Sequence, residues 1–383
     1  MKQINVILIF IIIQSILTED LTSLFKMQLG NLAIPLVLIF LFLNCKNIKM
    51  SKSLLFFLLT IVFISLISMI INQTVSNSDF LRMFKVNSVL IFILFGICIK
   101  NLNDVIYIRT IFYSFITFLL IFIIQNFSEL IKLNSQSRLF YMRYLNIEIN
   151  TGNLFFTMLI FALALFIILN NKYFLVSKRI EIILVILIFI LIITSLVRTA
   201  YIIAFIIYFY FYGIKLLNRK YVVWLGLSSI ILLLFIIFIV ETGYIDRILY
   251  TFSNNGESKL DNSTLYRVYL FNNTLEALQN NIINMFIGFG FVEFSKLPIN
   301  NLGLESTHNG FLNITVKGGL LYLSSFITLI FYTFIKCKNK RTFSLITLLF
   351  IISNLTGDGI TYIPLTQMYF TTLGICLEVQ NNE

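Results

Sequence analysis

A single histidine, His308, is the only imidazole in 383 residues, and only 17 side chains are acidic. One histidine excludes a histidine-rich metal site. The four cysteines contain no CxxC pair, so neither a dithiol redox centre nor a zinc ribbon is suggested. No GxSxG, HExxH, Walker or DxD-type pattern occurs, and "GFG", 288–290, is not a phosphate loop because no GK[ST] follows it. Charge is scarce too, at 12% of residues. The net charge of +11 does not indicate nucleic acid. The basic residues fall in short clusters between apolar runs, and no zinc-finger, RNA-binding or basic-helix signature is present. There is no internal repeat, which disfavours the duplicated transporter folds. The first apolar run, "INVILIFIIIQSIL", lacks an A-x-A-like cleavage site and reads as a retained first span carrying Gln14.

What the chain has in abundance is apolar surface. Fifty-nine percent of residues are hydrophobic and the mean hydropathy is +0.94. A soluble domain of this size must turn about half its residues to water, so the class is an all-α polytopic membrane protein. About 20 residues are needed to cross ~30 Å of hydrocarbon. Twelve spans are expected: 4–18, 28–45, 54–72, 84–99, 107–125, 152–170, 181–196, 199–213, 221–240, 310–335, 343–356 and 362–378. The seventh and eighth come from one run, 181–213, which as a single helix would be ~50 Å long. It is interrupted at "TSLVRTA", 194–200, where Arg198 is costly in lipid. The chain 1–383 forms one membrane domain with a large extracytoplasmic loop, 241–309, before the tenth span. A shorter loop, 126–151, lies on the same side.

Orientation follows from the basic residues. With the N-terminus inside, Lys2, Lys46, Lys49, Lys52, Lys100, Lys172, Lys178, Arg179, Lys336 and Arg341 all fall on the inner face, while the outer face is near neutral. That asymmetry places both termini in the cytoplasm. Cys45, Cys98, Cys337 and Cys376 all fall at inner ends, where a reducing environment suits free thiols.

Several polar residues lie on the outer side. Arg198, at the break between two spans, either snorkels to headgroups or grips a lipid-linked phosphate with its planar fork. Arg267 lies in "DNSTLYRVYLFNNTLEALQNN", expected to be a helix capped by Asp261 or Ser263. Its apolar positions are Leu265, Val268, Phe271, Leu275 and Leu278. Arg138 and Arg143 read as loop charges. "ESTHNGFLNITVKGG", 305–319, crowds Glu305, His308 and Asn309 at the mouth of the tenth span. His308 has the intrinsic pKa of a general base; Glu305 either orients it or is the base itself. Asn309 can hydrogen-bond a sugar hydroxyl. Lys317 lies ~13 Å deeper and calls for a cavity or an anionic partner. "TGDGITYIP", 356–364, holds Asp358 in a turn that reads as a hairpin.

These motifs resemble one family. "STHNGFLNITVKGGLLYL", 306–323, is similar to the His-Asn…Leu…Gly…Gly segment that opens a late span in the O-antigen polymerase (Wzy-type) and O-antigen ligase superfamily. "NTLEALQNNIINMFIGFGFVEF", 273–294, looks like the helix and Gly-x-Gly turn before it. "LIITSLVRTAYIIAF", 191–205, resembles the family's Ser-Arg turn, except that Ser195 and Arg198 are not adjacent. "RLFYMRYLNIEINTGNLFF", 138–156, resembles an arginine-led approach to a span. Lys317 departs from the pattern, standing where the family often has an acid. The resemblance implies a GT-C-like, metal-independent glycosyltransferase of the bacterial inner (plasma) membrane. It needs no cofactor and uses undecaprenyl-pyrophosphate-linked oligosaccharide as donor and acceptor. Arg198 and Arg267 would hold the pyrophosphate, with Arg138, Arg143, Asn309 and Lys317 as further substrate-binding candidates. His308 or Glu305 would activate the acceptor. The favoured activity is repeat-unit polymerisation, with ligation to lipid A–core as the alternative and a flippase as the rival from another class. Membrane lipid, a chain-length regulator and a flippase are the further candidate partners.

Overall fold

A computed structural model describes residues 2–18, 30–102, 104–131, 141–144, 147–150, 153–195, 198–213, 262–293, 296–297, 309–337, 340–357, 360 and 362–377. Apolar runs of this length become helices because lipid offers no partner for backbone N–H and C=O groups. In chain order these are α1 (Lys2–Leu17), α2 (Gly30–Leu43), α3 (Lys52–Ile71), α4 (Asn77–Ser88), α5 (Ile91–Asn101) and α6 (Val105–Ile131). Then come α7 (Asn153–Tyr173), α8 (Lys178–Ser195), α9 (Arg198–Tyr208), α10 (Asn262–Gln279), α11 (Ile282–Ile287), α12 (Gly310–Lys336), α13 (Lys340–Thr356) and α14 (Ile363–Cys376). Between α6 and α7 lies the one departure from helix among the described strands and helices. β1 (Tyr141–Tyr144) pairs antiparallel with β2 (Ile147–Asn150), and Arg143 stands in register with Glu148.

Every expected span except 221–240, which lies outside the described residues, coincides with helix. By length and composition, Lys52–Ile71, Asn77–Asn101, Val105–Asn126 and Gly310–Lys336 could each cross a membrane. Shorter apolar helices accompany them at Lys2–Leu17, Leu32–Leu43, Thr157–Tyr173 and Ala200–Phe211. Within the run 181–213, α8 is described to Ser195 and α9 from Arg198, and both pack on α7; residues 196–197, where the division is expected, lie outside the described residues. The expected span 84–99 starts earlier than its hydropathy suggests. Ser76 caps α4 by accepting from the Asp79 N–H at 3.2 Å, and its hydroxyl donates to Asp79 Oδ2 at 2.5 Å.

Polar residues inside the bundle join helices in pairs. Asn5 on α1 and Asn44, just past α2, exchange amide hydrogen bonds at 2.9 Å each way. Gln14 on α1 donates to the Ser114 carbonyl of α6 at 2.7 Å. Such contacts matter in a bundle where apolar burial alone does not favour helix over lipid. They join α1 to the end of α2 and to α6. Glu181 is fully buried at the start of α8, where Lys178 pairs with it and the Asn170 amide donates to it at 2.6 Å. Lys2, assigned to the inner face by the charge pattern, meets Asp104 at 2.6 Å, and its ammonium holds the Asp104 carboxyl below its ordinary pKa.

Among the described helices, the closest pair joins distant parts of the chain. α5 and α14 run parallel, since Lys100 at the end of α5 donates to the Leu377 carbonyl just past α14. Gly96 and Gly374 face each other, and a Cβ on either would run into the other helix's backbone, at Thr371 or Ile93 respectively. Small residues at such a crossing let the backbones touch. All four cysteines gather at this end: Cys98 points at the Asn44 carbonyl beside Cys45, and Cys337 at the Cys376 carbonyl. Gly374→Val is expected to destabilise the bundle by about 3 kcal/mol or more, read as a lower melting temperature in detergent, whereas Phe42→Ala on the exposed face of α2 leaves it unchanged.

Candidate functional site

The opposite end of the bundle is organised by a break in α12. At Gly319 the backbone leaves the helix, with φ 71° and ψ −172°, a conformation that side-chain-bearing residues rarely adopt. A break in an apolar helix frees carbonyls that lipid cannot satisfy. Here the Gly-Phe-Gly turn, 288–290, satisfies them. Phe289 N–H donates to the Val316 carbonyl at 2.7 Å, and Gly290 N–H to the Lys317 carbonyl at 3.1 Å. The turn's N–H groups are therefore spent on packing, in keeping with the absence of a phosphate-loop motif. Gly288, with φ 80°, sits so close that a Cβ there would lie 2.6 Å from the Lys317 carbonyl and from Gly319 N. Phe291 then packs edge-on against Tyr322, with ring centroids 5.9 Å apart.

α3 holds both sides of this joint. Ser68 donates to the Lys317 carbonyl at 2.8 Å, and the Asn72 amide to the Gly288 carbonyl at 3.0 Å. One turn earlier, Ser65 and Asn87 exchange hydrogen bonds, and Tyr322 donates to Asn87 Oδ1 at 3.1 Å. Ser65, Ser68 and Asn72 recur at i, i+3 and i+7, one polar stripe on an otherwise apolar helix. Farther out, Arg82 on α4 bridges Asp79 at 3.2 Å and Glu293 at 3.1 Å. Lys296 reaches the same Glu293 carboxylate at 3.5 Å.

The expected amphipathic helix is α10, running from Asn262; Asp261 lies outside the described residues. Its buried face is shifted from the expected one: Leu278 is inside as expected, Phe271 is not, and the side chains of Leu265 and Val268 lie outside the described residues. Leu270, Thr274 and Leu278 are buried, Leu275 is half-buried and Phe271 is 43% exposed. The stripe is set by a Thr whose polarity hid it. Leu270, Leu297 and Val316 form one small apolar cluster, with Phe289 and Val292 packed on it, so α10 is docked on α12.

The candidate residues distribute as follows. Asn309 caps α12, accepting from the Leu312 N–H at 3.1 Å. Lys317 is half-buried two turns deeper, just before the break. The "TGDGITYIP" turn is docked on the same helix end, since Gly310 N–H donates to the Gly357 carbonyl at 3.0 Å; Asp358 lies outside the described residues. Arg198 is the first residue of α9, Arg267 lies in α10 and Arg143 in β1. His308, Glu305 and Arg138 lie outside the described residues. Sequence reasoning missed Ser68, Asn72 and the packing role of Gly288. The signals were an i, i+3, i+7 polar stripe and two glycine pairs separated by one span's mouth. Among the described residues no cluster of His, Cys, Asp or Glu could hold a metal ion.

Residues 182–327 match the family model described as O-antigen ligase. The match runs from α8 into α12 and takes in Arg198, Arg267, Glu305, His308, Asn309 and Lys317; Arg138 and Arg143 precede it. It is consistent with the O-antigen polymerase and ligase superfamily that the motifs resemble. Members of that family are glycosyltransferase-like enzymes of polysaccharide biosynthesis. The apolar helices make this chain a membrane protein. No curated protein sequence matches the chain.

Gly319→Ala is expected to cost about 1–3 kcal/mol from backbone strain alone, and more because its Cβ would meet the Phe286 carbonyl. Ser68→Ala removes one hydrogen bond to a freed carbonyl and should cost about 1 kcal/mol. Melting of the two purified variants checks the order; a Gly319→Ala protein as stable as the parent would contradict the strained joint.

Proposed function

We propose that the protein polymerises undecaprenyl-pyrophosphate-linked oligosaccharide repeat units by inverting glycosyl transfer at the outer face of the bacterial plasma membrane. The observation that carries this reading is the family match over 182–327, which contains Arg198, Arg267 and His308 in the order the motifs require. The docking of α10 on the broken α12 supports it. Arg267 stands two turns before the buried Thr274 on α10, and Asn309 and Lys317 stand on α12 itself.

In this reading the fold is GT-C-like with about twelve spans and both termini cytoplasmic. The gathering of cysteines and of Lys2, Lys100 and Lys336 at the end opposite the glycine turn supports that orientation. The donor's pyrophosphate is already a good leaving group, and its departing charge is met by Arg198 and Arg267 without a metal. His308 takes the proton of the attacking hydroxyl, with Glu305 orienting it, as the acceptor oxygen displaces pyrophosphate from the opposite face of the anomeric carbon. Arg138 and Arg143 are further substrate-binding residues in this reading. The matched family's description names a ligase, so transfer of a finished chain to lipid A–core is the second reading; it takes the same donor.

A gel of surface polysaccharide from a deletion strain tests the reading. A single-repeat product supports the polymerase, long chains accumulating on the carrier lipid support the ligase, and repeats trapped on the cytoplasmic side would overturn both in favour of a flippase. In the complemented strain, His308→Ala should lower polymer at least a hundredfold. Arg198→Lys should also lose most of it, because a point charge replaces a bidentate fork. Full polymer in both variants, with normal protein levels, would contradict the assigned roles.

A further inference from the structure

Asn313 lies one turn inside α12 and is 2% exposed, yet its Oδ1 has no hydrogen-bond partner. A buried amide oxygen left unpaired costs about 1–3 kcal/mol, so such an atom calls for a ligand or a role. Its place in the fold gives it one. Asn309, Asn313 and Lys317 recur at i, i+4 and i+8, which puts them on one face of the helix, running inward from its capped mouth. The two flanking positions are half-buried. We propose that Asn313 is a further substrate-contacting residue, whose side-chain oxygen accepts a hydrogen bond from a sugar hydroxyl or amide of the lipid-linked repeat. This rests on the glycosyl-transfer reading above.

Chemistry separates the sugar from the phosphate here. An ionised pyrophosphate oxygen only accepts hydrogen bonds, so it cannot satisfy an orphaned acceptor. A sugar hydroxyl or an acetamido N–H donates. The amide of Asn313 also carries two donors, so a hydroxyl can be held in both directions. The arginines and Lys317 suit the anionic half of the same substrate, and Asn313 suits the neutral half. No carboxylate or cation is needed at this position, and none stands at positions 310–316 of the helix.

The test uses Asn313→Leu, which is close in volume and removes the orphaned group. If Asn313 were only a structural residue, this variant would be as stable as the parent or more so, and equally active. The probes are undecaprenyl pyrophosphate and the same lipid bearing one repeat unit, extracted from the deletion strain. Each is added to purified full-length protein, and the shift in melting temperature is followed with concentration. The parent should bind the sugar-bearing lipid more tightly than the bare one. Asn313→Leu should keep its response to the bare lipid and lose about tenfold in apparent affinity for the sugar-bearing one. Asn313→Ala, the second variant should the first fail to accumulate, should lose the same preference. A variant that keeps the parent's preference overturns the inference. If the deletion strain also loses polymer, that result overturns the role of Asn313 alone; a parent that responds to neither lipid overturns the glycosyl-transfer reading with it.

Discussion

The end of the bundle that carries the candidate site depends on two carbonyls. Once α12 breaks at Gly319, the oxygens of Val316 and Lys317 lose their helical partners in a part of the molecule where water is scarce. The Gly-Phe-Gly turn supplies two N–H groups and α3 supplies a serine hydroxyl, and together they hold the break open in one geometry. Because these are backbone-to-backbone contacts at van der Waals limits, the joint tolerates no Cβ on either side. The break in turn sets the position of everything on the first segment of α12: the cap at Asn309, the amide of Asn313 and the stem of Lys317.

That joint also ties α10 and α11 to the rest of the bundle. α10 and α11 lead into the turn, and α10 is docked on α12 by Leu270 and Val316. The ion pairs among Arg82, Asp79, Glu293 and Lys296 add a polar rim. Partly exposed pairs of this kind contribute little individually, so the glycines and the serine dominate. On the glycosyl-transfer reading, bringing a bulky sugar to a lipid-borne leaving group needs rigid positioning more than strong binding, and such a joint would provide it.

Much of the helical framework was legible in the sequence, because hydropathy registers the cost of leaving backbone polar groups in lipid. What stayed hidden were features whose signal is small. The kink at Gly319 looks like two ordinary glycines until Gly288 is brought against it. The buried face of α10 was misread because Thr274 scores as polar and Phe271 as apolar, whereas packing put the threonine inside and left the phenylalanine half out. Asn313 was overlooked beside His308, since a neutral amide in an apolar run has no titration to draw the eye.

The parallel contact of Gly96 with Gly374 bears on how the molecule is made. α14 is buried on every side and carries Gln367, whose amide has no partner. It fills the space beside α5, which enters the membrane long before it. A chain being synthesised must therefore hold α5 with one flank against lipid, or against the insertion machinery, until α14 arrives. The glycine seam makes α14 a keystone for α5, so the order of synthesis and the order of assembly cannot coincide.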